Sequence, residues 1–165
     1  MGLNIAAQNQ QISDHVQRFG WHCLHVFPTG EGGDHFTYSI GFGESYDAPE
    51  VLVFGVERDK AHALLSQCAQ MLREGHTIVA EAEDSAILSN DYKVIYKAVL
   101  PEHYGEYLGT AMRYYGEREF SAVVMFLPDR QHRFPWQPGY DGMQADEPLS
   151  IVQHSFERVP PRGLS

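Results

Sequence analysis

Two continuous apolar runs limit this fold more than any other feature: "VLVFGV" at residues 51–56 and "FSAVVMFL" at residues 120–127. Each has the length of a strand and neither alternates. Such runs belong in the middle of a sheet, not at its edge. The stretch "WHCLHVF" at residues 21–27 behaves differently. It alternates, with Trp21, Cys23, His25 and Phe27 on one side and His22, Leu24 and Val26 on the other. After a glycine-rich turn, "PTGEGGD", the run "HFTYSIGF" returns as a second strand. Its Phe36, Tyr38, Ile40 and Phe42 point inward, and His35, Thr37 and Ser39 point the other way.

Helical spacing separates these strands. Ile12, Val16 and Phe19 predict a helix over residues 9–19, stopped by Gly20. Residues 57–73 place Ala61, Leu64, Leu65, Cys68, Met71 and Leu72 on one stripe. Glu57 and Asp59 lie at the positive start of that helix, Arg73 lies near its end, and Gly75 terminates it. A third helix opens at Pro101 and closes at Gly116, with Tyr104, Leu108, Ala111, Met112 and Tyr115 as its apolar stripe. "HTIVAE" and "DYKVIYKAVL" read as further strands, and "GESYDAPE" as a loop. This order predicts an α+β fold: one mixed, mainly antiparallel sheet with about three helices packed mostly on one face. Residues 1–150 read as a single domain and residues 151–165 as a C-terminal tail, extended or disordered.

The charge balance narrows the partners. Twelve Lys and Arg stand against 22 Asp and Glu, a net charge of −10. That surface repels the phosphates of nucleic acids and anionic lipid heads, so neither is expected as a partner. Another protein, itself basic, fits better, as does a small molecule in a shielded pocket. The two cysteines, Cys23 and Cys68, form no CxxC pair and no disulfide framework. The N-terminus has no basic region followed by an apolar run, and Ala6 breaks the myristoylation pattern. No apolar stretch approaches the ~18 residues of a membrane span. A cytoplasmic protein is expected.

Chemistry-bearing residues crowd into the two alternating strands. Cys23 and His25 project to one face, and His35 comes alongside if the strands pair. Nitrogen and sulfur ligands at that spacing suit a tetrahedral metal site. Trp21 and Phe27 share the same face, which reads as core, and no metal or other cofactor is favoured. A cysteine nucleophile needs a base and an exposed electropositive pocket. His22 is adjacent to Cys23 but on the opposite face, and Cys68 lies on a buried helical stripe, so both thiols read as small hydrophobes. The acids Glu31, Asp34, Asp47 and Glu50, and the cluster Glu81, Glu83 and Asp84, have no spacing that signals acid–base work. "GEGG" and "GFGES" lack the rest of a phosphate-loop pattern. The proline-braced loop "RFPWQPGYD" holds Trp136 stiffly beside Arg130, His132 and Arg133, with Tyr140 following. It reads either as a plug over the sheet or as an anchor for a partner.

"GWH", "FTYSIGF", "APEVLVFG", "YYG" and "RFPWQPGY" together resemble an uncharacterised bacterial family of unknown function, family 4262. The resemblance spans residues 20–140. It falls on Gly20, Trp21 and His22, on Tyr38 and Gly41, on Pro49 and Glu50, and on Phe134, Pro135, Trp136, Pro138 and Gly139. Ser39 and Phe42 depart from it, where the family more often has Thr and Leu. It implies a bacterial origin and no activity. It also draws attention to His22 and Tyr38 rather than Cys23 or His25. A histidine among apolar neighbours wants a hydrogen-bond partner, and Glu50 is a candidate.

Three functions follow. The first is an acidic protein-binding domain of the immunity or antitoxin kind, capping a basic partner. The second is a small-molecule binder or enzyme whose pocket holds His22, Tyr38, Glu50 and Trp136, with Arg133 and Tyr140 as further binding candidates. The third is a metalloprotein through Cys23, His25 and His35.

Overall fold

The computed structural model describes residues 2–27, 35–142, 144 and 147–152. Helix α1 (Gly2–Phe19) leads into β1 (His22–Val26), β2 (Phe36–Ile40), the short α2 (Phe42–Tyr46) and β3 (Glu50–Phe54). Then come α3 (Arg58–Arg73), the short β4 (Glu83–Asp84) and β5 (Val94–Ala98). A 3₁₀ turn (Pro101–His103), α4 (Tyr104–Tyr107), α5 (Gly109–Tyr115), β6 (Ala122–Phe126) and α6 (Glu147–Ser150) complete the order.

The six strands form one sheet in the order β1-β2-β3-β6-β5-β4. Only β3 and β6 run parallel, and the other neighbours are antiparallel. The fold is therefore α+β with a mixed, mainly antiparallel sheet. The two continuous apolar runs become its two central strands, buried at every position. Burial at every position requires cover on both faces, and the helices, expected mostly on one face, divide between the two. Ile12 and Val16 of α1 and Leu108, Ala111 and Tyr115 near α5 pack with Tyr38, Ile40, Leu52 and Val124 on one face. Ala61, Leu65, Cys68 and Leu72 of α3 pack with Val51, Val53, Val123 and Met125 on the other.

Several local expectations shift. Helix α1 starts seven residues earlier, at Gly2 rather than at residue 9. The expected strand at residues 76–81 is reduced to a single bridge, Ala80 with Tyr96, because Glu81 takes a positive φ of 69° and turns the chain. The helix opened by Pro101 breaks at Leu108, whose φ of −118° and ψ of 29° are not helical. The loop read at residues 43–50 contains α2. Gly41, at φ 119°, lets the chain wind straight out of β2 into it; an added Cβ there would meet Val16 Cγ2 at 2.9 Å. The domain also reaches past residue 150. Ile151 and Val152 are 1% and 0% exposed, and Val152 bridges to Val99. The rest of the expected tail, residues 153–165, lies outside the described residues, as does the turn at 28–34.

Candidate functional site

Strand β1 is an edge strand, with β2 on one side. Its other side opens into a cleft of about 580 Å³ bounded by the end of α1 and the outer face of α3. His15 and Phe19 come from α1, and Trp21, His22, Cys23 and His25 from β1 and its approach. Arg58, His62 and Ser66 follow one another at four-residue spacing on α3, which puts them on one helical face. Arg73 closes the far end, where one of its amino groups donates to Phe19 O at 2.8 Å and ties α3 to the end of α1. No Asp or Glu is among the described residues that line the cleft.

The imidazoles are ordered by specific contacts. His15 Nδ1 and His22 Nδ1 lie 2.7 Å apart, so one donates and the other accepts, and their rings stack at 4.9 Å. Burial, then the neighbouring His15 and His25, push His22 down to about 4, so it is neutral near pH 7. His62 stacks on Trp21 at 5.7 Å. His25 is held on both sides. Its Nδ1 lies 2.9 Å from Thr37 Oγ1, and its Nε2 lies 3.7 Å from Cys23 Sγ. Thr37 stands directly opposite His25 in the β1–β2 register. Burial pushes the Cys23 thiol up to about 11, against the pull of Arg58. Burial, Arg58 and His62 lower His25, and Asp59 opposes them.

A family model described as a domain of unknown function, DUF4262, matches residues 15–141. The chain belongs to that family. Every residue lining the cleft falls inside the matched span of this DUF4262 chain. No curated protein and no solved structure gives a match.

The other residues singled out from the sequence lie elsewhere. Glu50 is fully buried at the start of β3. Its carboxylate accepts from Ser39 Oγ at 2.7 Å, from the backbone N–H groups of Gly41, Phe42 and Gly43 at 3.1 Å each, and from the Tyr115 hydroxyl. It is not the partner of His22; it serves the first turn of α2 instead. The Tyr38 hydroxyl, 1% exposed as a residue, accepts from Ala111 N at 3.3 Å and holds α5 to the sheet. Trp136 stacks on Phe134 at 5.2 Å and meets Phe126 edge-on at 5.3 Å, with Lys97 Nζ 4.5 Å from its ring centre. The aromatic loop thus packs on the sheet. Arg133 pairs with Asp129 at 2.9 Å. Burial would raise Asp129, but the backbone N–H groups of Arg133, Asp141 and Gln131 and the Arg133 side chain together hold it down to about 2.

Tyr140 lines a second, larger depression of about 700 Å³ with Leu64, Leu88, Tyr92 and Leu127. Lys60, Arg130, Asp129 and Asp141 also line it, and Asp129 is already engaged by the loop. The cleft at β1 has more convergent polar groups and is the better candidate. His35 stacks on Phe27 at 6.2 Å, and among the described residues no three His, Cys, Asp or Glu side chains are placed to hold one metal ion. The Cys23, His25 and His35 set is therefore not assembled as a metal site: two of its members meet each other, and the third sits over Phe27. His15, Thr37, Arg58, His62 and Arg73 were not singled out as site residues from the sequence. The four-residue spacing of Arg58 and His62 was visible; which side of the sheet α3 covers was not.

Proposed function

We propose that this chain binds a small organic anion, a carboxylate or a phosphate, in the cleft between α1, β1 and α3. The lining carries this reading: four imidazoles and the Arg58 guanidinium line the cleft, with Arg73 at its far end and no carboxylate among the described lining residues, on a chain of net charge −10. The forked donors of Arg match carboxylate and phosphate oxygens two at a time, and imidazoles add N–H donors. The volume, about 580 Å³, lies within the usual range for small-ligand sites. A basic protein partner rests on the charge alone, whereas the small-molecule reading gains the cleft and therefore leads.

The test is titration of the protein with inorganic phosphate and with citrate, read by the ring-nitrogen NMR signals of His15, His22, His25 and His62. Saturable shifts confined to these four rings are expected. Arg58→Gln should weaken binding about tenfold, a loss of roughly 1.4 kcal/mol. No saturable response to either anion up to about 10 mM, where binding would be worth only ~3 kcal/mol, overturns the reading.

A further inference from the structure

Cys23, His25 and Thr37 form a line of contacts in the same cleft, and of the three only His25 enters the anion reading. The thiol and the imidazole sit two residues apart on one face of β1, with Sγ and Nε2 3.7 Å apart. On the far side of the ring, Nδ1 meets Thr37 Oγ1 at 2.9 Å. Thr37 is 2% exposed and fixed by strand register, so it holds the ring plane. When Nδ1–H donates to Thr37, the lone pair of Nε2 faces the thiol. This is the arrangement of a nucleophile, its base and a group that orients the base. Cys23 and His25 both open onto the cleft. The other thiol, Cys68, is 1% exposed and bonded to the Tyr96 hydroxyl.

We infer that Cys23 is a nucleophile toward activated acyl groups, that His25 is its general base, and that Thr37 positions His25. The Cys23 sulfur forms a bond to the carbonyl carbon of an ester or thioester while its proton passes to His25 Nε2. The bond from that carbon to the leaving group breaks, and the imidazolium returns the proton to the leaving group. Water, deprotonated by His25, then cleaves the enzyme thioester and restores the thiol. The sum is hydrolysis of the acyl compound, with no other reagent. At neutral pH a thiol pushed up to about 11 is almost wholly protonated, so it depends on an adjacent base to react. Arg58 lies close enough to influence both Cys23 and His25, so it adds positive charge beside the reacting thiol. The inference requires the cleft to admit solutes, not that it take anions.

Two uncharged probes test it on the full chain, so their reactions are independent of anion affinity. The first is iodoacetamide, with mass spectrometry separating Cys23 from Cys68 across a range of pH. In the wild type, Cys23 alkylation should reach a plateau as His25 loses its proton, below the ordinary histidine value of 6.5. In His25→Gln the rate should climb steadily with pH and be about 100-fold lower near neutrality. Thr37→Val should lower the rate and displace the plateau, and Thr37→Ser should restore both; a merely structural role for Thr37 would leave the plateau where it is. The second probe is p-nitrophenyl acetate, which should give a burst of one product per chain and an acetyl group on Cys23. If His25→Gln does not fold, the wild-type profile and the Thr37 pair decide. A wild-type rate that rises with pH like that of an isolated thiol overturns the relay. A plateau without acetylation of Cys23 overturns the acyl chemistry. Failure of the phosphate and citrate titrations leaves both probes untouched, so the two readings fail separately.

Discussion

Glu50 shows how a single side chain can organise a corner of the molecule. It is 0% exposed, yet five donors converge on its two oxygens. Five donors suit an ionised carboxylate, because a proton would remove acceptor capacity. Burial pushes its carboxyl above the ordinary glutamate value, and Tyr115, Gly43, Ser39 and Gly41 pull the other way. Glu50→Gln keeps the volume but turns an amide N–H₂ toward groups that already donate. It leaves about two buried donors unpaired and should cost about 2–5 kcal/mol, at ~1–3 kcal/mol for each unsatisfied buried group. Tyr115→Phe removes one donor and should cost about 1.5–3 kcal/mol. Urea unfolding at constant slope measures both, and a loss below about 1 kcal/mol in Glu50→Gln would mean that the group is not ionised in the fold. The importance of Glu50 was legible as a match to the family pattern; its partners were not. Three of its five donors are backbone N–H groups of a turn whose shape depends on Gly41 at φ 119°, and no side-chain pattern announces that shape. The shared face of Cys23 and His25 was legible from alternation. Thr37 was not singled out as their partner, because pairing it with His25 needs the hairpin register, which turn geometry sets.

The joint between α1 and β1 is an element-scale device. His15 on the helix and His22 on the strand share one proton at 2.7 Å, at β1, the edge strand among the described residues. His22 is lowered from 6.5 to about 4, so between those values the unfolded chain binds a proton that the folded chain refuses. Stability from this group is therefore complete above about 6.5, falls as the pH drops toward about 4, and is level below. The full loss is on the order of 3 kcal/mol, at about 1.4 kcal/mol for each tenfold drop in proton affinity. Urea unfolding of the wild type and His22→Gln at several pH values checks it. The variant should show a shallower decline over that interval, and parallel curves would remove the joint as a pH-sensitive element. Elements with strong periodicity were readable: the alternating β1 and β2, the apolar β3 and β6, and the stripe of α3. The helix after Pro101 was over-read, because its stripe continues through Leu108 although the backbone there leaves helical geometry. Periodicity reports which side chains are buried, and it cannot see a break that leaves them on the same face.

At the scale of the whole molecule, the sheet separates two cores, and the chain must finish one of them after its last strand. Ile151 and Val152 do this. They lie with Val99, Leu108 and Phe134 in the core on the α1 and α5 side, and Leu100 N donates to Ile151 O at 2.8 Å. A domain boundary at residue 150 was the natural reading of a proline-rich, aperiodic end, because two apolar residues alone carry no period. Their burial shows only when Val99 and Leu100, just after β5, are in place. A chain ending at residue 152 should therefore unfold in one cooperative transition, whereas a chain ending at residue 150 should lose about 3–6 kcal/mol, from ~1.5–3 kcal/mol for each buried side chain. That is a large fraction of the ~5–15 kcal/mol typical of a domain. Comparing these two truncations with each other isolates the two side chains and the Val99 bridge from the thirteen residues that follow. Equal urea midpoints would show that the sheet closes its core without them, and would restore the boundary at residue 150. A lower midpoint for the chain ending at residue 150, with an unchanged slope, would place Ile151 and Val152 inside the folded unit.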